Sequence, residues 1–212
     1  MKRNNKLDKA NAYRLSQEIL RNKALLKGVN LIAPETIFLS SDTSFGKNVT
    51  IEPYVVFGPK VKIGDNSYIK SFSYLEGTKI EKNVVVGPYA RLRSGTVLKD
   101  NSKIGNFVET KKSYISQNSK VNHLSYVGDT SIGKNVTVEP YVVFGPKVKI
   151  GDNSYIKSFS YVEGTKIEKN VVVGPYARLR SGTVLKNNSK IGNFVETKKS
   201  NISQNSKDKQ LS

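Results

Sequence analysis

The chain has no cysteine and no tryptophan, and only one methionine and one histidine among its 212 residues. Without thiols there is no disulfide framework and no thiolate metal site, and a single imidazole argues against a protein-only zinc site. No apolar run reaches the roughly 20 residues that a membrane-spanning helix needs. The basic start, Met1-Lys-Arg-Asn-Asn, is not followed by an apolar stretch of signal-peptide type, so the expected location is the cytoplasm, with no membrane partner. Acidic residues are scarce as well: 17 Asp and Glu face 35 Lys and Arg, a net charge of +18. Clustered Lys and Arg bind phosphate backbones through counterion release. Here the excess is mostly Lys, dispersed singly among Asn and Ser without a DNA- or RNA-binding motif. That pattern reads as a solvated surface and argues against nucleic acid as the partner.

What the sequence does have is repetition. The stretch Asp42 to Lys120 recurs without a gap from Asp129 to Lys207, and the copies differ at five of 79 positions: Phe45/Ile132, Ile51/Val138, Leu75/Val162, Asp100/Asn187 and Tyr114/Asn201. A repeat of this kind calls for a repeat architecture. From Phe45 onward an apolar residue recurs every six positions, through Ile51, Phe57, Ile63, Ile69 and Leu75. Four residues after most of these stands a small or β-branched side chain such as Val55, Val61, Ser67 or Ser73. This is the signature of a triangular parallel β-helix, an all-β solenoid in which each hexapeptide makes one flat side. Gly, Asn and Asp between the apolar positions tolerate the left-handed backbone that sharp corners require.

Three units, beginning at Leu75, Thr110 and Val127, are one residue short. Phe45 to Ile132 therefore spans twelve six-residue and three five-residue units, which make five complete coils. The repeat inserts whole turns, and each residue of the second copy should lie on the face of its counterpart. Counting from Ala33 to Ile202 gives about ten coils and a prism about 45 to 50 Å long. Ahead of it, residues from about Leu7 to Leu26 read as a surface or linker helix, with Leu7, Ala10, Leu15, Ile19 and Leu26 at helical spacing and Gly28 as the stop. The expected organisation is a linker-type helix over 1–30, one continuous solenoid over 31–207 and a tail over 208–212.

Three segments carry a resemblance: Val86-Gly-Pro-Tyr-Ala-Arg-Leu-Arg-Ser-Gly95, Ile104-Gly-Asn-Phe-Val-Glu-Thr-Lys-Lys112 and Ser119-Lys-Val-Asn-His-Leu-Ser-Tyr-Val-Gly-Asp129. The sequence resembles the C-terminal acetyltransferase domain of the bifunctional GlmU family, from the helix to about Val136 and again over the second copy. The resemblance implies a left-handed parallel β-helix, a homotrimer, and transfer of acetyl from acetyl-CoA to the amine of glucosamine-1-phosphate in UDP-N-acetylglucosamine biosynthesis; it implies no metal for this segment. Matched residue by residue, His123 falls on the family's general base. Arg93 and Lys111 fall on cations that hold the sugar phosphate, and Tyr126 on a residue that contacts it. Coil counting groups three of these without reference to the family. The inward slots Leu92 and Thr110 lie three sides apart, which stacks Arg93 and Lys111 on one face, and Tyr126 precedes the next slot, Val127.

The sequence also departs from the family. After Val136 the family continues into a Gly-Ala-Gly stretch and an Asn-Tyr-Asp-Gly loop, in coils that bind acetyl-CoA, whereas this chain re-enters its own repeat at Glu139-Pro-Tyr-Val-Val-Phe-Gly-Pro146. The second copy retains Arg180 and Lys198, but the counterpart of His123 is Gln210. Three readings stand: an acetyltransferase domain with weak or absent turnover, a non-catalytic trimeric solenoid, and a polyanion-binding basic solenoid.

Overall fold

Each hexapeptide forms one two-residue strand and one corner, as in Thr50–Ile51, the corner at Tyr54, Val56–Phe57, the corner at Lys60, and Lys62–Ile63. The structure is a computed structural model that describes residues 5–208. Within them the strands stack into three parallel sheets. Sheet 1 has eleven strands, from Asn30–Leu31 to Lys207–Asp208. Sheet 2 has nine, from Val56–Phe57 to Glu196–Thr197, and sheet 3 has ten, from Ser44–Phe45 to Asn201–Ile202. The result is a left-handed parallel β-helix of about ten coils preceded by one helix. Among the described residues no helix is long and apolar enough to cross a membrane.

Register follows the periodicity. In sheet 3 the partners run Phe45, Ile63, Ile80, Leu98, Ile115 and Ile132, in steps of 17 or 18 residues. Ile132 thus occupies Phe45's column five coils on. The first coil is longer than the others: Leu31 pairs with Ile51, because the 3-10 turn Pro34–Thr36 adds residues to it. The ladder therefore begins at Asn30, ahead of the Ala33 reached by counting; Ala33 itself turns with φ 53° into the 3-10 segment.

Inside the prism, Ile51, Ile69, Leu92, Ile104 and Ile132 are fully buried, and so are the small residues that follow the corners, such as Val55, Ser73 and Ala90. The small residue therefore also fills the inner angle of the corner. Where it is Ser, its hydroxyl needs a partner. Ser67 Oγ donates to the Glu81 carbonyl at 2.9 Å and accepts from the Val84 N–H at 3.3 Å, both on the next coil.

The corners make three columns of residues with positive φ. Ten of these residues are Asn, from Asn48 to Asn205, and nine are Gly, Lys or Asp, from Lys60 to Lys199. The remaining column is aromatic: Tyr54, Phe72, Tyr89, Phe107, then Leu124, then Tyr141, Phe159, Tyr176 and Phe194. Aromatic side chains in the left-handed region are unfavourable, by about 1–2 kcal/mol each. Stacking offsets this. Neighbouring rings from Tyr54 to Phe107, and from Tyr141 to Phe194, lie nearly parallel with centroids 4.7–5.0 Å apart, and each such pair contributes about 0.5–1.5 kcal/mol beyond burial. The Asn column gains differently, through amide bonds from coil to coil such as Asn118 to Asn135 at 3.1 Å and Asn135 to Asn153 at 2.9 Å.

Helix α1 spans Asn5–Leu26 and closes the N-terminal end as a surface helix whose leucine stripe faces outward. Leu7, Leu15, Ile19 and Leu26 are exposed, whereas Gln17 and Ala24 are buried and Leu20 packs on the core. The reason is backbone pairing. The first turn of the solenoid has no preceding coil, and the Gln17 side chain stands in for one: Leu39 N–H donates to Gln17 Oε1 and Gln17 Nε2 donates to the Leu39 carbonyl, each at 2.8 Å. A buried, unpaired strand edge costs more than leaving leucines wet.

One prediction follows for the corners. Asn135→Gly keeps the positive φ of 54° and removes two amide bonds, whereas Asn135→Val also places a β-branched residue in a region it avoids. In urea denaturation the Val variant should be less stable than the Gly variant by about 1–2 kcal/mol.

Candidate functional site

Sheet 2 carries the residues singled out in the sequence. Arg91–Leu92, Glu109–Lys111 and Tyr126–Gly128 are neighbouring strands, with Leu92 paired to Thr110 and Thr110 to Val127. Side chains alternate along a strand, so the residues flanking each inward slot point outward in two rows. Arg93 and Lys111 follow their slots and share one row; the Arg93 N–H donates to the Thr110 carbonyl at 2.9 Å. Tyr126 precedes its slot and stands in the other row, opposite Glu109.

Its ring nevertheless crosses to the first row. Gly128 is the register partner of Lys111, and a Cβ built on Gly128 would lie 2.7 Å from Tyr126 Cε1. The glycine is required by this close approach, which brings the phenol over the position beside Lys111. An open groove runs between Lys111, Lys112, Tyr126, Asp129 and Pro146. Gly145 and Pro146 also line it and repeat Gly58 and Pro59, so the second copy supplies part of the lining.

His123 lies on the corner between sheets 1 and 2, three residues before Tyr126, and is half-buried. Its ring sits edge-on to Tyr141, with centroids 5.9 Å apart and planes at 79°. The peptide of Gly105, one coil earlier, lies directly beneath it: a Cβ there would meet the His123 nitrogen at 2.8 Å. Corner geometry thus constrains the backbone of His123, and an aromatic neighbour packs edge-on against its ring. The counterpart position, Gln210, lies outside the described residues.

Glu109 belongs to the same cluster and is not among the residues the sequence motifs single out. Its carboxylate accepts from Arg93 Nη1 at 3.1 Å and lies 4.0 Å from Arg91 Nη1. The signal was available, since Arg91 and Glu109 are 18 residues apart, one coil step, and so fall opposite each other. Among the described residues Lys111 joins no ion pair, whereas Arg91 and Arg93 share Glu109. The second copy reproduces the arrangement: Arg180 and Arg178 meet Glu196 at 3.1 and 3.7 Å.

On sheet 1, Glu139 follows Val138, the partner of Val121, and so stands beside Asn122 on the next coil. Burial pushes its carboxyl up, but three hydrogen bonds outweigh that and hold it below its ordinary 4.5: from the Tyr155 hydroxyl, the Ser158 N–H and the Ser158 hydroxyl. Glu52, its counterpart, is held down in the same way by Tyr68 and Ser71, again against burial.

The sequence matches the family described as bacterial transferase hexapeptide (six repeats) over residues 42–77, 77–112, 129–164 and 164–199. It is 56% identical over 72 residues to the bifunctional protein GlmU of Nitrobacter hamburgensis, which covers 34% of this chain and 16% of that protein. It is 53% identical over 77 residues to the bifunctional protein GlmU of Rhodopseudomonas palustris, covering 36% and 17%. The chain thus matches about a sixth of the length of these curated relatives. A solved structure of LpxA from Acinetobacter baumannii superposes with a TM-score of 0.51 at 14% identity, over 80% of this chain and 67% of that one, which shows the shared fold.

A depressed carboxylate pKa stabilises the folded state above the unfolded value, and that contribution is lost as pH falls below the unfolded value and through the lower folded one. Stability should therefore decline below about pH 4.5, and the double substitution Glu52→Gln, Glu139→Gln should flatten that decline in thermal melts taken from pH 6 to pH 3.

Proposed function

The chain belongs to the bacterial transferase hexapeptide family, and we propose that it is an acetyltransferase domain of GlmU type whose acceptor half is present and whose donor half is altered. A hexapeptide-repeat acyltransferase domain is the common ground of the family match and the GlmU relatives. The single observation that carries the finer reading is the grouping on sheet 2: Arg93 and Lys111 in one row, with the Tyr126 ring reaching over Gly128 beside them. Two cations and a phenol suit a phosphate monoester, with Lys111 the stronger attraction because Glu109 already neutralises part of the Arg93 charge.

In this reading a sugar phosphate lies in the groove with its amine toward His123. The imidazole takes a proton from the amine as the amine nitrogen forms a bond to the acetyl carbonyl carbon. The carbon–sulfur bond of the thioester then breaks, the electron pair leaves on sulfur, and the proton passes to the thiolate. General-base assistance of this kind contributes about 10² to 10⁴ in rate, provided that both substrates are held within reach. Beyond Val136 the chain repeats Thr137-Val-Glu139 and Gly145-Pro146 where the family has its donor-binding coils, so weak or absent turnover is expected. A homotrimer in the cytoplasm, with glucosamine-1-phosphate and acetyl-CoA as substrates, completes the proposal.

The second reading, a non-catalytic trimeric solenoid, is favoured by one observation: the repeat extends the coil stack by whole turns without disturbing a ladder. Release of free CoA from acetyl-CoA and glucosamine-1-phosphate separates the two. Turnover that falls about 10² to 10⁴ in His123→Ala, and whose KM for the sugar phosphate rises in Lys111→Ala, supports the enzyme. No turnover above buffer from a folded protein supports the scaffold. Tight, salt-sensitive binding of DNA or RNA would instead support the polyanion reading.

A further inference from the structure

Helix α1 lies across the first coil, yet only two of its 22 residues, Gln17 and Ala24, are buried. Its hold on the solenoid is largely polar. Gln17 pairs with both backbone groups of Leu39 at 2.8 Å, and Arg21 Nη1 donates to the Ile37 carbonyl at 3.3 Å. Beneath the helix a cavity of about 90 Å³ remains, lined in part by Leu20, Ala24, Leu39, Thr43 and Phe45. Thr43 Oγ1 is buried without a hydrogen-bond partner among the described residues. The helix joins the first strand, Asn30–Leu31, through Gly28, which has φ 82° and no atom within 4 Å of where a Cβ would stand. A glycine in open space is a ready hinge.

What the surface under the helix is shaped to receive is visible inside the molecule. Midway along the stack, the coil that leads into the second copy is laid on the last coil of the first. Val127 pairs with Thr110, Ser131–Ile132 pairs with Tyr114–Ile115, and the Ser116 N–H donates to the Ile132 carbonyl at 3.0 Å. Both halves of this joint recur at the ends. Glu196–Thr197 and Asn201–Ile202, the last strands of sheets 2 and 3 among the described residues, repeat Glu109–Thr110 and Tyr114–Ile115. At the other end Ser44–Phe45 repeats Ser131–Ile132, and Phe38, bridged to Val56, brings Leu39 into the column of Val127. Two of the five differences between the copies fall here, Asn201 for Tyr114 and Phe45 for Ile132, and neither adds a charge. In a head-to-tail joint Glu196 would face Phe38, and Lys198 would face Ser40, so no like charges are opposed in sheet 2 despite the +18 of each chain.

We propose that α1 is an end cap that keeps copies of this chain from joining head to tail, and that when it swings away at Gly28 the last coil of a second copy docks in its place. The Leu39 N–H then donates to the second copy's Glu196 carbonyl, and the Leu39 carbonyl accepts from its Lys198 N–H, as the Thr110 carbonyl accepts from the Arg93 N–H. These are the two bonds that Gln17 supplies while the cap is closed. Ser44–Phe45 pairs with the second copy's Asn201–Ile202. In sheet 1, Asn30–Leu31 already stands before Thr50–Ile51 as Lys120–Val121 stands before Thr137–Val138, so it takes the place of the second copy's Lys207–Asp208. The joint lies at the ends of the prism, and it depends neither on the proposed chemistry nor on how many chains lie side by side.

The test uses the full chain with Gln17→Ala, which removes the latch and leaves the ladders of the solenoid untouched. Light scattering should give masses at whole-number multiples of the parent mass, with an average that rises with concentration to at least double the parent's. Electron micrographs should show rods lengthened in steps of about 45 to 50 Å. Adding Ser203→Pro removes the edge donor equivalent to the Ser116 N–H and should return the chain to the parent mass. A Gln17→Ala chain that is folded by circular dichroism and keeps the parent mass at every concentration would overturn the proposal, and so would assembly that Ser203→Pro leaves unchanged. Should Gln17→Ala not fold, Gln17→Glu serves instead. At pH 7 its carboxylate still accepts from the Leu39 N–H but cannot donate to the carbonyl, so it should assemble as well, and the same two results would contradict it.

Discussion

Everything in this molecule depends on parallel pairing between successive coils at a fixed step. Each strand is only two or three residues long, so no strand is stable alone, and each is held by the coil on either side of it. A step of 17 or 18 residues returns the chain to the same sheet with its apolar residue inward. That constraint explains how a stretch already rich in ladder contacts can be followed by a near-identical copy. The copy enters five coils later, in phase, and its columns continue those of the first without a break in register.

The corners convert the same constraint into chemistry. Three residues per coil must adopt positive φ, and the chain meets the cost in three ways: amide bonds along the Asn column, ring stacking along the aromatic column, and glycine or solvated lysine along the third. The columns then determine the surface. The groove opens beside the corner of Gly, Lys and Asp, and His123 lies where the aromatic column is interrupted. On the flat face between, two arginines share the Glu109 carboxylate, and Lys111 joins no ion pair among the described residues. The arrangement that could receive a phosphate is therefore a by-product of stacking, refined by Gly128, which lets the Tyr126 ring lean across.

Much of this was legible in the sequence because hexapeptide periodicity is read one residue at a time. The inward slots, the five-coil phase and the neighbourhood of Arg93, Lys111 and Tyr126 all follow from counting. Three features did not. The anchor of α1 is not visible in its apolar spacing, because what holds the helix is a polar residue, Gln17, pairing with a strand edge. The aromatic corner was missed because positive φ is expected of Gly, Asn and Asp, and the compensating stack is visible only when residues 17 or 18 apart are laid side by side. Glu109 carries no motif signal of its own, although its spacing of one coil step from Arg91 places the two together.

The account stands on whole-coil phase, and deletion tests it directly. Removing residues 42–128 takes out five complete coils and joins Ser41 to Asp129, which replaces Asp42. Removing residues 42–131 takes three more and leaves one side too short to reach its corner. Circular dichroism through a thermal melt should show a cooperative β-rich transition for the first chain and none for the second. Equal folding of the two, or failure of the in-phase deletion alone, would contradict the account.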